Sequence, residues 1–288
     1  MAQNPEVRGF FDPATHTVTY LVSDPATRTA AIIDPVLDYD AAAARTSTRS
    51  IDAVMAALNE AGLTLALVLE THAHADHLTA ADHLREAEGV PIGIGARITA
   101  VQSAFAPLFA ATDVRLDGSA FDHLYADGER FALGSLSVEV IHTPGHTPAC
   151  ISYRIGDAVF TGDTLFMPDY GTARTDFPGG DARTLYRSIQ RLLALPEETR
   201  IFVGHDYLPQ GRTDYRFQTT VADQRDHNIH IGGGVSEAAF VEMREARDRT
   251  LGAPQLILPS LQVNIRAGAL PPPETGGKRY LKLPLNAI

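Results

Sequence analysis

Thr71-His72-Ala73-His74-Ala75-Asp76-His77 follows directly on the apolar run Leu65-Ala66-Leu67-Val68-Leu69. Such a short apolar run reads as a buried strand, which therefore delivers three imidazoles and a carboxylate to its C-terminal end, where α/β folds gather their chemistry. The pattern recurs. His142-Thr143-Pro144-Gly145-His146 follows the strand-like Leu136-Ser137-Val138-Glu139-Val140-Ile141; Asp163 ends Phe160-Thr161-Gly162-Asp163, and His205 ends Phe202-Val203-Gly204-His205. One strand-end histidine alone reads as structural. The whole set reads as a metal site, because neutral imidazole and carboxylate are ligands that suit transition metals.

The rest of the chain narrows the class. Its 288 residues allow one large domain or two small ones and a full core. With 44% apolar and 20% charged residues the composition is that of a soluble globular protein. No apolar run approaches the roughly 18 residues that would cross a bilayer, so no membrane partner is expected. Met1-Ala2-Gln3-Asn4-Pro5-Glu6 lacks the pattern of a secretory signal. The single cysteine, Cys150, excludes an intrachain disulfide, and with the missing signal it gives a cytoplasmic expectation. A net charge of −11 argues against nucleic acid and anionic lipid as partners, since both need a basic face.

Strands and helices alternate along the chain. Thr17-Val18-Thr19-Tyr20-Leu21-Val22 and Ala30-Ala31-Ile32-Ile33 flank the turn Asp24-Pro25-Ala26-Thr27 and predict a hairpin, with Asp34-Pro35 ending the second strand. A helix is predicted from Ser50 as N-cap through Ile51, Val54, Met55 and Leu58 to Gly62, and another over Leu78–Leu84. Asp181 and Ser236 are read as N-caps of two further helices, one containing Leu185, Ile189, Leu192 and Leu193, the other Phe240, Met243 and Arg247. After Pro271-Pro272-Pro273, the alternating Tyr280-Leu281-Lys282-Leu283-Pro284-Leu285 predicts an extended piece with one apolar side. Its expected place is on a protein surface, preferentially a neighbouring subunit's in a homodimer, with the same chain as the alternative. These elements predict an α/β sandwich whose helices cover the sheets.

Together, His72–His77, His146, Thr161-Gly162-Asp163-Thr164 and Gly204-His205-Asp206-Tyr207 resemble the metallo-β-lactamase superfamily in order and spacing over roughly residues 10 to 210. The resemblance implies an αββα sandwich with the metal site at one edge between two sheets. It also implies a catalytic domain over residues 1–220, followed by a C-terminal helix and extended tail over 221–288 that packs on the same domain or on a dimer partner. Within the superfamily, Asp34-Pro35-Val36-Leu37, His142–Cys150, Gly171-Thr172-Ala173-Arg174-Thr175-Asp176-Phe177 and His205-Asp206-Tyr207 are similar to the persulfide dioxygenase branch. Hydroxyacylglutathione hydrolases of the glyoxalase II type share the pattern up to Gly162–Phe166 but diverge after it. Many members of the dioxygenase branch carry cysteine where this chain has Thr172. Asn264-Ile265-Arg266-Ala267-Gly268 resembles the terminal piece of a bacterial subgroup.

What the dioxygenase resemblance implies is specific. One Fe(II) per chain would be held by His72, His146 and Asp163, a two-histidine, one-carboxylate set that leaves three positions open. The reaction would oxidise glutathione persulfide with O2 to sulfite and glutathione. His74, Asp76, His77 and His205 would then orient ligands and water from outside the metal shell. In the hydrolase alternative they would hold metal in a dinuclear zinc centre that attacks a thioester. A metal-binding module without catalysis is the third reading. Arg174 is the candidate for a substrate carboxylate, with a structural pair to Asp176 as the competing role. Tyr207 is the candidate for substrate contact, with packing as its alternative. Cys150 is expected in the core and His142 outside the ligand set.

Overall fold

Alternation along the strands sorts side chains onto the two faces of each sheet, as a period of two requires. In Thr17–Ser23, Val18, Tyr20 and Val22 face one core and Leu21 another; in Thr29–Ile33, Ala31 and Ile33 face the first and Ala30 and Ile32 the second. Every strand of this kind needs a layer on both sides. The computed structural model, which describes residues 4–287, supplies them.

One six-stranded sheet runs Glu6–Asp12, Thr17–Ser23, Thr29–Ile33, Thr64–Leu69, Ile92–Gly95 and His123–Tyr125 from edge to edge. The other runs Arg130–Leu133, Leu136–His142, Ile151–Ile155, Ala158–Phe160, Arg200–Phe202 and Gln218–Thr220. Both sheets are mixed. Thr29–Ile33 pairs in parallel with Thr64–Leu69, and Ala158–Phe160 with Arg200–Phe202. Between the sheets lies a core containing Val18, Tyr20, Val138, Val140, Tyr153 and Phe160.

Helices α1 (Arg49–Glu60), α2 (Ala81–Glu88) and α3 (Ile98–Phe105) cover the outer face of the first sheet through Ile51, Leu84, Val101 and their neighbours. Helices α4 (Ala182–Leu193), α5 (Val221–His227) and α6 (Glu237–Asp248) cover the second through Leu185, Ile189, Val221 and Phe240. The last helix, α7 (Ile257–Asn264), crosses back and adds Leu261 and Val263 to the core beneath the first sheet. The layers are helix, sheet, sheet, helix, the αββα sandwich expected from the sequence.

Local expectations met three corrections. Asp181 and Ser236 do cap their helices, accepting from Thr184 N at 2.7 Å and Ala239 N at 3.3 Å. Ser50, however, is already inside α1, whose N-cap position is Thr48. The cap comes from Asp38 on a neighbouring strand, which accepts from Ser50 N at 2.9 Å and Ser50 Oγ at 2.8 Å. The helix after the histidine cluster starts at Ala81, because Leu78-Thr79 pairs with Val36-Leu37 as a short strand. Third, 280–285 forms no strand: the Gln262 side chain accepts from Lys282 N at 2.8 Å and donates to Lys282 O at 2.9 Å. Leu281 packs on the first core while Leu283 and Leu285 stay 67% and 86% exposed. The tail thus docks on its own chain as far as Lys282; the expected span of 278–288 ends with Ile288 outside the described residues.

Candidate metal centre

Parallel pairing puts Ile33 level with Leu69, so the residues that follow both strands meet. Asp34 lies beside Thr71 and accepts from its N–H at 2.7 Å and its hydroxyl at 2.8 Å. Asp34 has φ +50°, a backbone state costing a non-glycine residue on the order of 1 kcal/mol, which this anchoring offsets. The second sheet brings in the remaining groups through two glycines. Gly162 has φ +48°, and a Cβ there would sit 2.4 Å from Thr71 Oγ1. A Cβ at Gly204 would sit 2.9 Å from Asp163 Oδ1. Only glycine lets Asp163 and His205 come this close to the histidine loop.

Asp163 is the centre of the cluster. Its Oδ2 is 4.0 Å from His72 Nε2 and 3.6 Å from His146 Nε2, separations suited to ligands around one ion rather than to mutual hydrogen bonds. Its Oδ1 is 3.2 Å from His205 Nε2, which in turn lies 3.4 Å from Asp76 Oδ2. The ligand atoms of His72, His146 and Asp163 all fall within 4.8 Å of one another, and so do those of His74, Asp76 and His205. His77 stands next to the second set, its ring 4.2 Å from that of His74.

Each imidazole has one nitrogen held from outside, which turns the other toward the cluster. His72 Nδ1 is 3.0 Å from Thr71 Oγ1, whose own proton goes to Asp34. His146 Nδ1 donates to the carbonyl of Arg174 at 2.8 Å and His205 Nδ1 to that of His16 at 3.2 Å. His77 Nδ1 is 3.2 Å from Thr17 Oγ1, and His74 Nε2 lies 3.1 Å from Asp34 Oδ1 and 3.4 Å from Glu70 Oε2. Such outer partners fix the tautomer and aim the free lone pair inward.

The electrostatics follow from burial and crowding. Burial works to lower His205, yet Asp163 and Asp76 raise it to about 9. Burial likewise opposes the ionised form of Asp163, but His205, His72 and His146 hold its carboxyl well below the usual range. Burial and the neighbouring His74 push His72 down. Glu70 is pushed up to about 7, mainly by burial.

The cluster fits a metal ion. His72 Nε2, His74 Nδ1, His77 Nε2, His205 Nε2 and Asp163 Oδ1 are buried and make no hydrogen bond. Each unsatisfied buried group costs about 1–3 kcal/mol. A cation held by His72, His146 and Asp163 would give the first of these sets its partner, and two nitrogens with one carboxylate oxygen is a set that iron and zinc both accept.

A cavity of about 320 Å3 opens over His146 and Asp163. Phe166, Tyr170, Phe177 and Tyr207 form its aromatic wall, and Arg174, Arg244 and Arg247 its basic part. Tyr207 stacks on His205 at 5.4 Å with an interplanar angle of 16°. Burial, then Asp163 and Asp76, hold its hydroxyl well above the usual tyrosine range, so it stays a proton donor. Arg174 lines the same cavity with its donors engaged. Nε and Nη2 each reach Asp176 at 2.6 Å, and Nη1 reaches the carbonyl of Gly252 at 2.7 Å. Cys150 is buried, with a thiol pushed up to about 12 by burial, and His142 Nε2 is spent on the Pro148 carbonyl at 3.0 Å. Thr172 gives its N–H to His230 Nδ1 at 3.0 Å.

Four residues around the centre were missed in the sequence. The Thr17 hydroxyl lies within 3.5 Å of Asp76, His77 and His205. Glu70 braces His74 and accepts from Thr79 Oγ1. His16, at φ +60°, presents its carbonyl to His205. Asn264, at the end of α7, donates to the carbonyls of His74 and His77, both at 2.8 Å, and accepts from Thr79 N at 2.9 Å. Of these only Asn264 left a trace, as the first residue of the Asn264–Gly268 motif.

Comparison with known proteins places this arrangement among relatives. Residues 12–205 match the model of the metallo-beta-lactamase superfamily. A probable metallo-hydrolase of Burkholderia pseudomallei is 53% identical, over 98% of this chain and 99% of that protein. The Beta-lactamase hydrolase-like protein of Xylella fastidiosa is 50% identical over 99% of this chain, which spans 66% of that protein's length. Persulfide dioxygenase ETHE1, mitochondrial, of Bos taurus is 33% identical over 93% of this chain and 90% of its own. The crystal structure of ETHE1 from Myxococcus xanthus superposes with a TM-score of 0.74 at 34% identity, covering 92% of this chain and 100% of that one.

Proposed function

Because the chain belongs to the metallo-beta-lactamase superfamily, we propose that it is an Fe(II)-dependent persulfide dioxygenase, with glutathione persulfide and O2 as substrates. The observation that carries this reading is the cluster of His72, His146 and Asp163, the last two lining the cavity, with His205 directed at the other oxygen of Asp163. The likeness to the ETHE1 proteins over more than nine-tenths of the chain supports it. Bound Fe(II) would supply coordination positions for sulfur and dioxygen together and the transfer of electrons between them.

The reaction balances as persulfide, O2 and water giving thiol, sulfite and two protons. The outer sulfur loses four electrons and one dioxygen accepts them. The chain's own residues bind and orient. Phe166, Phe177 and Tyr170 shield the reacting sulfur from bulk water, and the Tyr207 hydroxyl donates a hydrogen bond toward the sulfur and oxygen atoms. His205, tied to the His16 carbonyl, holds Asp163 so that Oδ2 stays with His72 and His146. We place His74, Asp76 and His77 in the same supporting role.

A second reading has its own support. His74, Asp76 and His205 form another ligand set beside the first, and one close relative is named a probable metallo-hydrolase. A dinuclear zinc thioesterase would use both sets. Protein purified without oxygen is expected to hold about one iron per chain, to consume O2 with glutathione persulfide, and to lose activity on chelation and regain it with Fe(II). Two zinc ions per chain, fast thioester hydrolysis and no O2 uptake would establish the hydrolase instead.

We propose further that residues 221–288 serve this same catalytic unit and that the protein is a homodimer. Leu283 and Leu285 would be covered by the partner. Deleting residues 278–288 is then expected to halve the mass in solution, as light scattering would measure. A truncated protein that stays dimeric rules out a necessary tail interface.

A further inference from the structure

Three arginines reach the cavity, and they differ in what holds them. Arg174 is locked on Asp176 and the Gly252 carbonyl. Arg244 is almost wholly buried, with Nε 2.9 Å and Nη2 2.7 Å from Asp248 Oδ1, while Nη1 donates to the Thr172 carbonyl at 3.1 Å. Each therefore has a carboxylate of its own and a backbone carbonyl besides. Arg247, one helical turn after Arg244 on α6, lines the same cavity and is exposed. Its guanidinium makes no hydrogen bond or ion pair among the described residues.

The two acidic groups lining the cavity, Asp76 and Asp163, both belong to the ligand clusters. Arg247 lines the cavity together with Leu251, Pro254 and Leu256 of the α6–α7 connection. A molecule bound in the cavity thus meets metal ligands as well as an unpartnered cation. The size, about 320 Å3, suits a small ligand. A guanidinium with all its donors free is the group best shaped to take a carboxylate by two parallel hydrogen bonds.

We infer that Arg247 is the specificity-determining anchor for a carboxylate at the far end of the substrate, the role that sequence reading gave to Arg174. The inference deepens the dioxygenase reading and rests on it for the identity of the reacting end, a thiol-derived sulfur. Arg247 lies outside residues 12–205 that match the superfamily model, so this anchor would be supplied by the C-terminal segment.

Binding of reduced glutathione, which carries two carboxylates, and of neutral 2-mercaptoethanol to the metal-loaded protein tests the assignment by calorimetry. Arg247→Gln is expected to weaken glutathione by about 10- to 100-fold, the loss of one charge-assisted pair, and to leave 2-mercaptoethanol unchanged. With glutathione persulfide, KM should rise by the same factor while kcat holds. Arg247→Lys should recover part of the loss, and Arg249→Gln, an exposed change on the same segment, should have no effect. Wild-type affinity in Arg247→Gln overturns the inference, as does a loss that follows Arg174→Gln in its place. So does a wild-type protein that binds glutathione no better than 2-mercaptoethanol. Absent O2 uptake by the wild type would overturn the dioxygenase reading alone, since the binding measurement needs no turnover.

Discussion

Asp163→Ala is expected to reduce bound iron from about one per chain to a trace, because a three-ligand site that loses its only carboxylate loses its charge balance as well. His72→Ala and His146→Ala should do the same. His77→Ala and His205→Ala should instead weaken metal affinity or activity by roughly 10- to 100-fold, the usual effect of removing a supporting group. The asymmetry follows from Asp163, whose Oδ2 faces His72 and His146 while Oδ1 faces His205. Metal analysis of the purified variants is the measurement. If His205→Ala emptied the site as fully as Asp163→Ala, the division into ligands and supports would be wrong and the dinuclear reading would gain.

Asn264→Ala is expected to be the most damaging change made outside the ligands. It removes three hydrogen bonds at once and leaves the carbonyls of His74 and His77 and the N–H of Thr79 buried without partners. At about 1–3 kcal/mol for each of the three orphaned groups, the loss is roughly 3–9 kcal/mol, a large share of the 5–15 kcal/mol typical of a folded domain. A fall in Tm on the order of 10 °C should follow, with lower metal affinity because the histidine loop loses its brace. Asn264→Asp keeps the acceptor for Thr79 N but not the two donors, and should recover little. A Tm within 2 °C of wild type for Asn264→Ala, an interval of about 1 kcal/mol at this size, would show that water replaces the side chain.

The ligands were legible because each follows an apolar strand, and strand ends are local features. Pairing of Ile33 with Leu69 and of Phe160 with Phe202 brings those ends together, and the alternation of strands with helices along the chain already implied the layers on which the pairing depends. Contacts between distant segments were not legible. Asn264 meets His74 across 190 residues, and no periodicity records such a meeting. The same holds at the start of α1, where Ser50 has the right chemistry for a cap but Asp38, twelve residues earlier, performs it. The tail was read from its alternating leucines, which describe a face without saying what covers it. Arg174 shows a related limit: residue type identified a guanidinium near the cavity, while the engagement of that group depends on Asp176 and on Gly252, 78 residues away.

The grip of Asn264 on the histidine loop also joins two equilibria. Ordering of the loop by a metal ion and docking of α7 share the carbonyls of His74 and His77, so each must favour the other by the same free energy. Metal loading should accordingly slow amide exchange throughout Ile257–Asn264 and protect the connection after α6 from proteolysis. Any ligand that clasps α7 from outside would, by reciprocity, tighten the hold on the ion. The C-terminal segment is in this sense a reporter of the occupancy of a centre built almost entirely by the residues before it.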